Sequence, residues 1–80
     1  MGKIGDIVLI ESEYIKLDSA LKMAGYVSTG GHAKTVIQNG EVKLNGEVCI
    51  QRGKKLRQGD IVEFNNKTFI IKNAYSEYTN

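Results

Sequence analysis

Eighty residues, 41% of them hydrophobic, make one domain near the lower size at which a single core without disulfides sustains a fold. Nearly every apolar side chain is then needed inside, which disfavours a walled catalytic cleft and favours a binding surface. The lone Cys49 excludes an intrachain disulfide framework and a cysteine-rich zinc site, and it reads as a small buried apolar residue in a reducing compartment.

The net charge of +2 is unevenly spread. Residues 28–57 hold Lys34, Lys43, Arg52, Lys54, Lys55 and Arg57 against only Glu41 and Glu47, while both flanks carry more acids than bases. The middle of the chain is therefore where a polyanion would be held. There is no proline, no Ser/Gly-rich linker and no internal repeat, so residues 1–80 are expected to form a single unit. The N-terminal "MGKIGDIVLI" has an apolar run of only four residues, too short for a signal-peptide core, and no stretch approaches membrane-spanning length. A cytoplasmic location is expected.

In chain order, "DIVLIES" (6–12) is short and β-branched and predicts a strand. In "IKLDSALKMAGYV", Leu17, Ala20, Leu21 and Ala24 recur at helical spacing, with Asp18 suited to the first turn and Gly25 to the end. "STGGHAKTVIQNG" predicts a second helix capped by Ser28 or Thr29, burying Ala33, Val36 and Ile37 and ending at Gly40. "EVKLNGEVCI" is less regular. An ideal two-residue Asn45-Gly46 loop would put Glu47 on the same face as Leu44 and leave Val48 and Ile50 on the other face from Val42 and Leu44, so a bulge or register shift is expected. "IVEFNNKTFII" predicts a hairpin turning at Asn65-Asn66, with Val62, Phe64, Phe69 and Ile71 on one face. The last six residues have no strong pattern and are expected to fray. The predicted core is Leu17, Leu21, Ala33, Val36, Ile37, Val42 and Leu44.

Gly30 and Gly31 pose a question, because glycine is a poor helix former. A helix N-terminus presents unpaired backbone N–H groups and partial positive charge, and glycine lets a phosphate approach them. Thr29, His32 and Lys34 would surround that approach, on the side away from Ala33, Val36 and Ile37. The same glycine pair also reads as a tight interhelical turn. Neither nucleotide fingerprint is present: no G-x-G-x-x-G follows a strand, and there is no G-K-[ST].

The order of motifs resembles the S4 RNA-binding domain family. "IKLDSAL" is similar to its opening helix motif, with Lys16 in place of the usual arginine. "STGGHAKTVIQNGEVKLNGE" resembles its second helix, Gly-x-Val turn and Asn-Gly strand end. "RGKKLRQGDIVEF" resembles its closing segment, where basic residues precede Gly-Asp and a strand. The resemblance covers about residues 15–64. Where members often have Ser-Arg-Ser, this chain has Thr29-Gly30-Gly31, which removes a commonly RNA-contacting arginine and is similar to a small stand-alone bacterial subgroup, the YaaA-like proteins. The resemblance implies an α+β fold, the alpha-L motif, with two short helices on a small, largely antiparallel sheet. It also implies a ribosome-associated role on ribosomal RNA of the large subunit.

The RNA-contacting candidates are Lys16, Thr29, Gly30, Gly31, His32, Lys34, Lys43, Arg52, Lys54, Lys55 and Arg57, with Lys34 as a phosphate contact. His32 reads as a neutral hydrogen-bonding or stacking residue, since no Cys or acid sits at metal spacing. Asp18 and Asp60 read as helix-start and turn residues. Phe64 and Phe69 are needed in the core, so an aromatic platform for single-stranded bases is not expected, and folded RNA held by shape and phosphate is. The chain is expected to be a monomer without cofactor or metal. No nucleophile–base pair or carboxylate dyad supports an enzyme. The competing reading is a protein-interaction adaptor that kept the fold and lost RNA.

Overall fold

The computed structural model describes residues 5–74. Its elements are β1 (Asp6–Ile10), β2 (Ile15–Lys16), α1 (Leu17–Met23), α2 (Gly30–Gln38), β3 (Val42–Leu44), β4 (Glu47–Val48), β5 (Lys55–Leu56), β6 (Ile61–Phe64) and β7 (Lys67–Asn73). Five strands form one sheet in the order β1-β7-β6-β3-β4, and β2 pairs with β5 in a separate two-stranded ribbon. Every pairing is antiparallel except that of β1 with β7. The fold is α+β, two short helices on a mostly antiparallel sheet, as the resemblance implies.

Local chemistry places the helix ends. α1 buries Leu17, Ala20 and Leu21, and the chain leaves it through Gly25 at φ +80°. α2 is capped by Thr29, whose hydroxyl oxygen accepts a hydrogen bond from the His32 N–H at 3.0 Å; it buries Ala33, Val36 and Ile37 and ends before Gly40 at φ +79°. Helices this short do not persist alone in water, so their buried faces hold them. Those faces pack on Val8, Ile10, Val42, Val62, Phe69 and Ile71 of the sheet. Each fully buried Leu, Ile or Phe contributes about 1.5–3 kcal/mol to that attachment. Leu44, expected in the core, is half-buried against its edge. Cys49 is also only half-buried, with its thiol 3.8 Å from the Gln51 carbonyl oxygen.

The β6–β7 hairpin turns at Asn65 (φ 56°) and Asn66 (φ 66°), which sets Val62 opposite Phe69. Phe64 lies on the same face but is only partly covered, opposite Lys67 at the hairpin end. The β3–β4 hairpin corrects an expectation. No bulge forms: Leu44 pairs with Glu47 and Lys43 with Val48 around a two-residue turn, with Asn45 at φ 52° and Gly46 at φ 90°. Turn chemistry outweighs burial here, because β4 is a two-residue edge strand with little sheet to cover it. Val48 and Ile50 consequently stand 56% and 62% exposed.

Tyr26, between the helices, ties their connection to the sheet. Its ring packs edge-on against Phe69 at 5.3 Å, and its hydroxyl lies 2.7 Å from Asp6 Oδ2 and 2.9 Å from the Thr68 carbonyl oxygen, sharing one proton between them. Burial first, then the hydrogen bond and charge of Asp6, push the phenol well above its ordinary range. The folded state thus holds this proton more tightly than the unfolded chain does. Its stabilising contribution is complete below about pH 10, where free tyrosine titrates, and declines as pH rises beyond that. Tyr26→Phe is expected to lower stability by about 1 kcal/mol at neutral pH and to flatten this alkaline decline. Urea unfolding between pH 7 and pH 11 measures both.

The expectation that the last six residues fray lies on 75–80, outside the described residues.

Candidate nucleic-acid interface

The β2–β5 ribbon collects cations that are far apart in sequence. Ile15 pairs with Leu56 and Lys16 with Lys55. Side chains alternate along paired strands, so Leu56 and most of Ile15 face the core while Lys16 and Lys55 face outward. Arg57 follows on the same outward face as Lys55 and is exposed. Arg52 and Lys54 are held beside this ribbon by their backbones. α1 has no side-chain cap; instead its Leu17 N–H donates to the Lys54 carbonyl (2.9 Å) and its Asp18 N–H to the Arg52 carbonyl (3.1 Å). The start of α1 and the basic loop therefore fix each other.

A second group lies at the start of α2. Thr29, Gly30, Gly31, His32 and Lys34 are all exposed there. Neither glycine has positive φ, in contrast to Gly25, Gly40, Gly46 and Gly59. A Cβ added at Gly30 would meet nothing within 4 Å, and one at Gly31 only Thr29 Oγ1 at 3.9 Å, an ordinary contact. Neither turn geometry nor internal packing demands glycine at these positions. Gly30→Ala is expected to leave the fold intact and raise stability by about 0.5 kcal/mol, through lower unfolded-state entropy. Thermal unfolding of the variant checks this. α1 lies between the two groups. Its first turn touches the ribbon, its seven residues rise about 10 Å, and its end leads through residues 24–29 into α2.

Lys43 is set apart. It points outward from β3 with Glu63 and Val48 as cross-strand neighbours, on the face of the sheet away from the helices. Among the described residues, none of Lys16, Lys34, Lys43, Arg52 and Lys54 has a side-chain hydrogen-bond or ion-pair partner, so their charges are not neutralised within the fold.

An open cleft between the β3–β4 hairpin and β5 has Leu44, Cys49, Lys54 and Lys55 among its walls and contains two carboxylates, Glu47 and Asp60. Asp60 is committed structurally. One oxygen accepts from the Arg57 N–H at 2.8 Å, the other from Asn45 Nδ2 at 3.1 Å. Asp60 therefore fastens the basic strand to the β3–β4 turn, which is more than the simple turn role its sequence position suggests.

The S4 domain model matches residues 8–72. The chain belongs to the S4 domain family. Within that family it is similar to a Bacillus subtilis protein named "Probable ribosome maturation protein RlbA", with 41% identity over 56 residues, 70% of this chain and 79% of the relative. The solution structure of YbcJ from E. coli has the same fold, with a TM-score of 0.66 at 23% identity over 90% of this chain and 95% of that one. That structure is described as revealing a motif involved in RNA binding. The S4 match extends beyond the 15–64 segment that carries the resemblance, to take in most of β1 and β7. Two structural features of this S4 domain were not read from its sequence. One is the β2–β5 ribbon; the other is Tyr14 beside it, over whose ring Lys55 Nζ stands at 4.8 Å and the Arg57 guanidinium at 5.7 Å. Their trace in the sequence is two three-residue alternations, Tyr14-Ile15-Lys16 and Lys55-Leu56-Arg57, too short to register as strands.

Proposed function

We propose that this chain is an RNA-binding domain with a ribosome-associated role, holding structured ribosomal RNA of the large subunit by phosphate and shape contacts. It acts by binding rather than catalysis, as a single-domain monomer in the cytoplasm. The observation that carries this reading is the outward face of the β2–β5 ribbon. Lys16, Lys55 and Arg57 share it, Arg52 and Lys54 are held alongside by their backbones, and a positive face of this kind attracts a polyanion. The exposed, sterically undemanded glycines at the start of α2 support it, since they leave backbone N–H groups open to a phosphate beside Lys34. The name of one similar protein, a probable ribosome maturation protein, and the motif involved in RNA binding described for the other point the same way.

RNA affinity should fall steeply with salt. If roughly 3–5 phosphates are neutralised, the log–log slope is of that order, and Lys34→Ala lowers it by about one while weakening binding to different RNAs by a similar factor. Titration of large-subunit RNA fragments at several salt concentrations measures this. A salt-independent response, or none, favours the adaptor reading instead.

A further inference from the structure

Tyr14 is half-buried, yet it is neither in the hydrophobic core nor among the partly buried side chains packed against it. Its backbone carbonyl accepts a hydrogen bond from the Ser12 hydroxyl at 2.8 Å, which fixes the approach into β2. Its own hydroxyl has no partner among the described residues. Two cations stand over the ring. Lys55 Nζ lies 4.8 Å and the Arg57 guanidinium carbon 5.7 Å from its centroid, within the range of attraction between a cation and an aromatic face. The ribbon register explains the meeting. With Ile15 opposite Leu56 and Lys16 opposite Lys55, Tyr14 is carried to a position opposite Arg57 and diagonal to Lys55, on the same outward face.

We propose that Tyr14 is a positioning residue of the RNA site, its ring holding Lys55 and Arg57 side by side so that they meet neighbouring phosphates already ordered. A free lysine or arginine loses rotamer entropy when it binds a phosphate, and two side chains held against one ring have lost part of it beforehand. The ring neutralises neither charge, so both remain available to the phosphates. The unpartnered hydroxyl means that the aromatic face, not the phenol, performs this role. This inference rests on the RNA-binding reading above.

The test compares Tyr14→Phe and Tyr14→Leu in the full chain, using transcribed domain fragments of large-subunit ribosomal RNA as probes. Tyr14→Phe keeps the aromatic face and binds like the parent. Tyr14→Leu keeps every cation, so the salt slope stays the same while affinity falls about five- to tenfold, the loss expected from two unrestrained side chains. In the free protein, NMR resonances of the Lys55 ε-methylene and Arg57 δ-methylene are shifted upfield by the ring; the shift persists in Tyr14→Phe and disappears in Tyr14→Leu. In an added Lys55→Met, Arg57→Met background, Tyr14→Leu costs much less. An undiminished loss in that background overturns the proposal in favour of a base stacking directly on Tyr14. Equal binding by Tyr14→Leu and parent also overturns it and leaves the RNA reading standing. Absence of any binding by the parent overturns the RNA reading itself, while the methylene shifts still report whether the ring holds its cations.

Discussion

Gly31→Val should weaken RNA binding about tenfold or more in a protein that remains folded. Gly31 lies in the first turn of α2 without positive φ, and a Cβ there makes only an ordinary contact with Thr29 Oγ1. Valine is also no worse a helix former than glycine, so little stability should be lost. What changes is access. A branched side chain stands where the open N–H groups of the first turn would meet a phosphate, and a hydrogen bond to a charged group contributes about 1.5–3 kcal/mol, which corresponds to roughly ten- to a hundredfold in affinity. No charge is removed, so the salt slope should change less than it does in Lys34→Ala. Gly31→Ala, with a single methyl, should fall between valine and the parent. Binding titrations paired with thermal melts separate an access defect from an unfolding defect. If Gly31→Val melts like the parent and binds like the parent, the glycines merely begin a helix and the phosphate reading of that end is lost.

The features legible in the sequence are those decided by neighbours in the chain. Thr29 caps α2, Gly25 and Gly40 end the helices with positive φ, and Asn65-Asn66 turns the last hairpin, because each depends on a few adjacent residues. The helical stripes were legible for the same reason. The pairings that join distant segments were not. β1 runs parallel to β7 from the far end of the chain, and β2 and β5 are two residues each, too short to show a period. At Asn45-Gly46 two local signals conflicted, a strong hairpin turn against a strand whose apolar residues fall on the wrong face, and the turn prevailed. The candidate site divides likewise. The basic segment was visible as charge, but its assembly on one face of a ribbon depends on the long-range pairing of β2 with β5. Tyr14 gave no signal of its own, since its meaning comes from Lys55 and Arg57 arriving on that pairing. Lys43 shows the converse: inside the basic run by sequence, it stands on the other side of the sheet.

Asn45→Ala should destabilise the domain by about 2–3 kcal/mol and disturb the basic strand with it. Asn45 has left-handed backbone at φ 52°, and its main-chain N–H donates to the Ile61 carbonyl at 2.7 Å. Its side chain does two further things: Oδ1 accepts from the Ile61 N–H at 2.9 Å, and Nδ2 donates to Asp60 Oδ1 at 3.1 Å. Alanine loses both side-chain bonds, at about 0.5–1.5 kcal/mol each, and pays a left-handed backbone cost of about 1–2 kcal/mol that asparagine partly escapes. In a domain of this size each kcal/mol shifts the melting temperature by about 4–8 °C, so a fall of about 8–24 °C is expected. Asp60 also holds Arg57, accepting its N–H and donating its own N–H to the Arg57 carbonyl at 3.0 Å. Freeing one Asp60 oxygen therefore loosens the segment that carries Lys55 and Arg57, and RNA affinity should decline at temperatures where the variant is still folded. Asn45→Gly separates the causes, because glycine accepts positive φ without strain but restores neither hydrogen bond. It should recover about 1 kcal/mol of the loss and none of the affinity. A glycine variant as stable and as tightly binding as the parent would mean that the Asn45–Asp60–Arg57 chain of bonds holds nothing in place, and that the basic strand is set by the sheet alone.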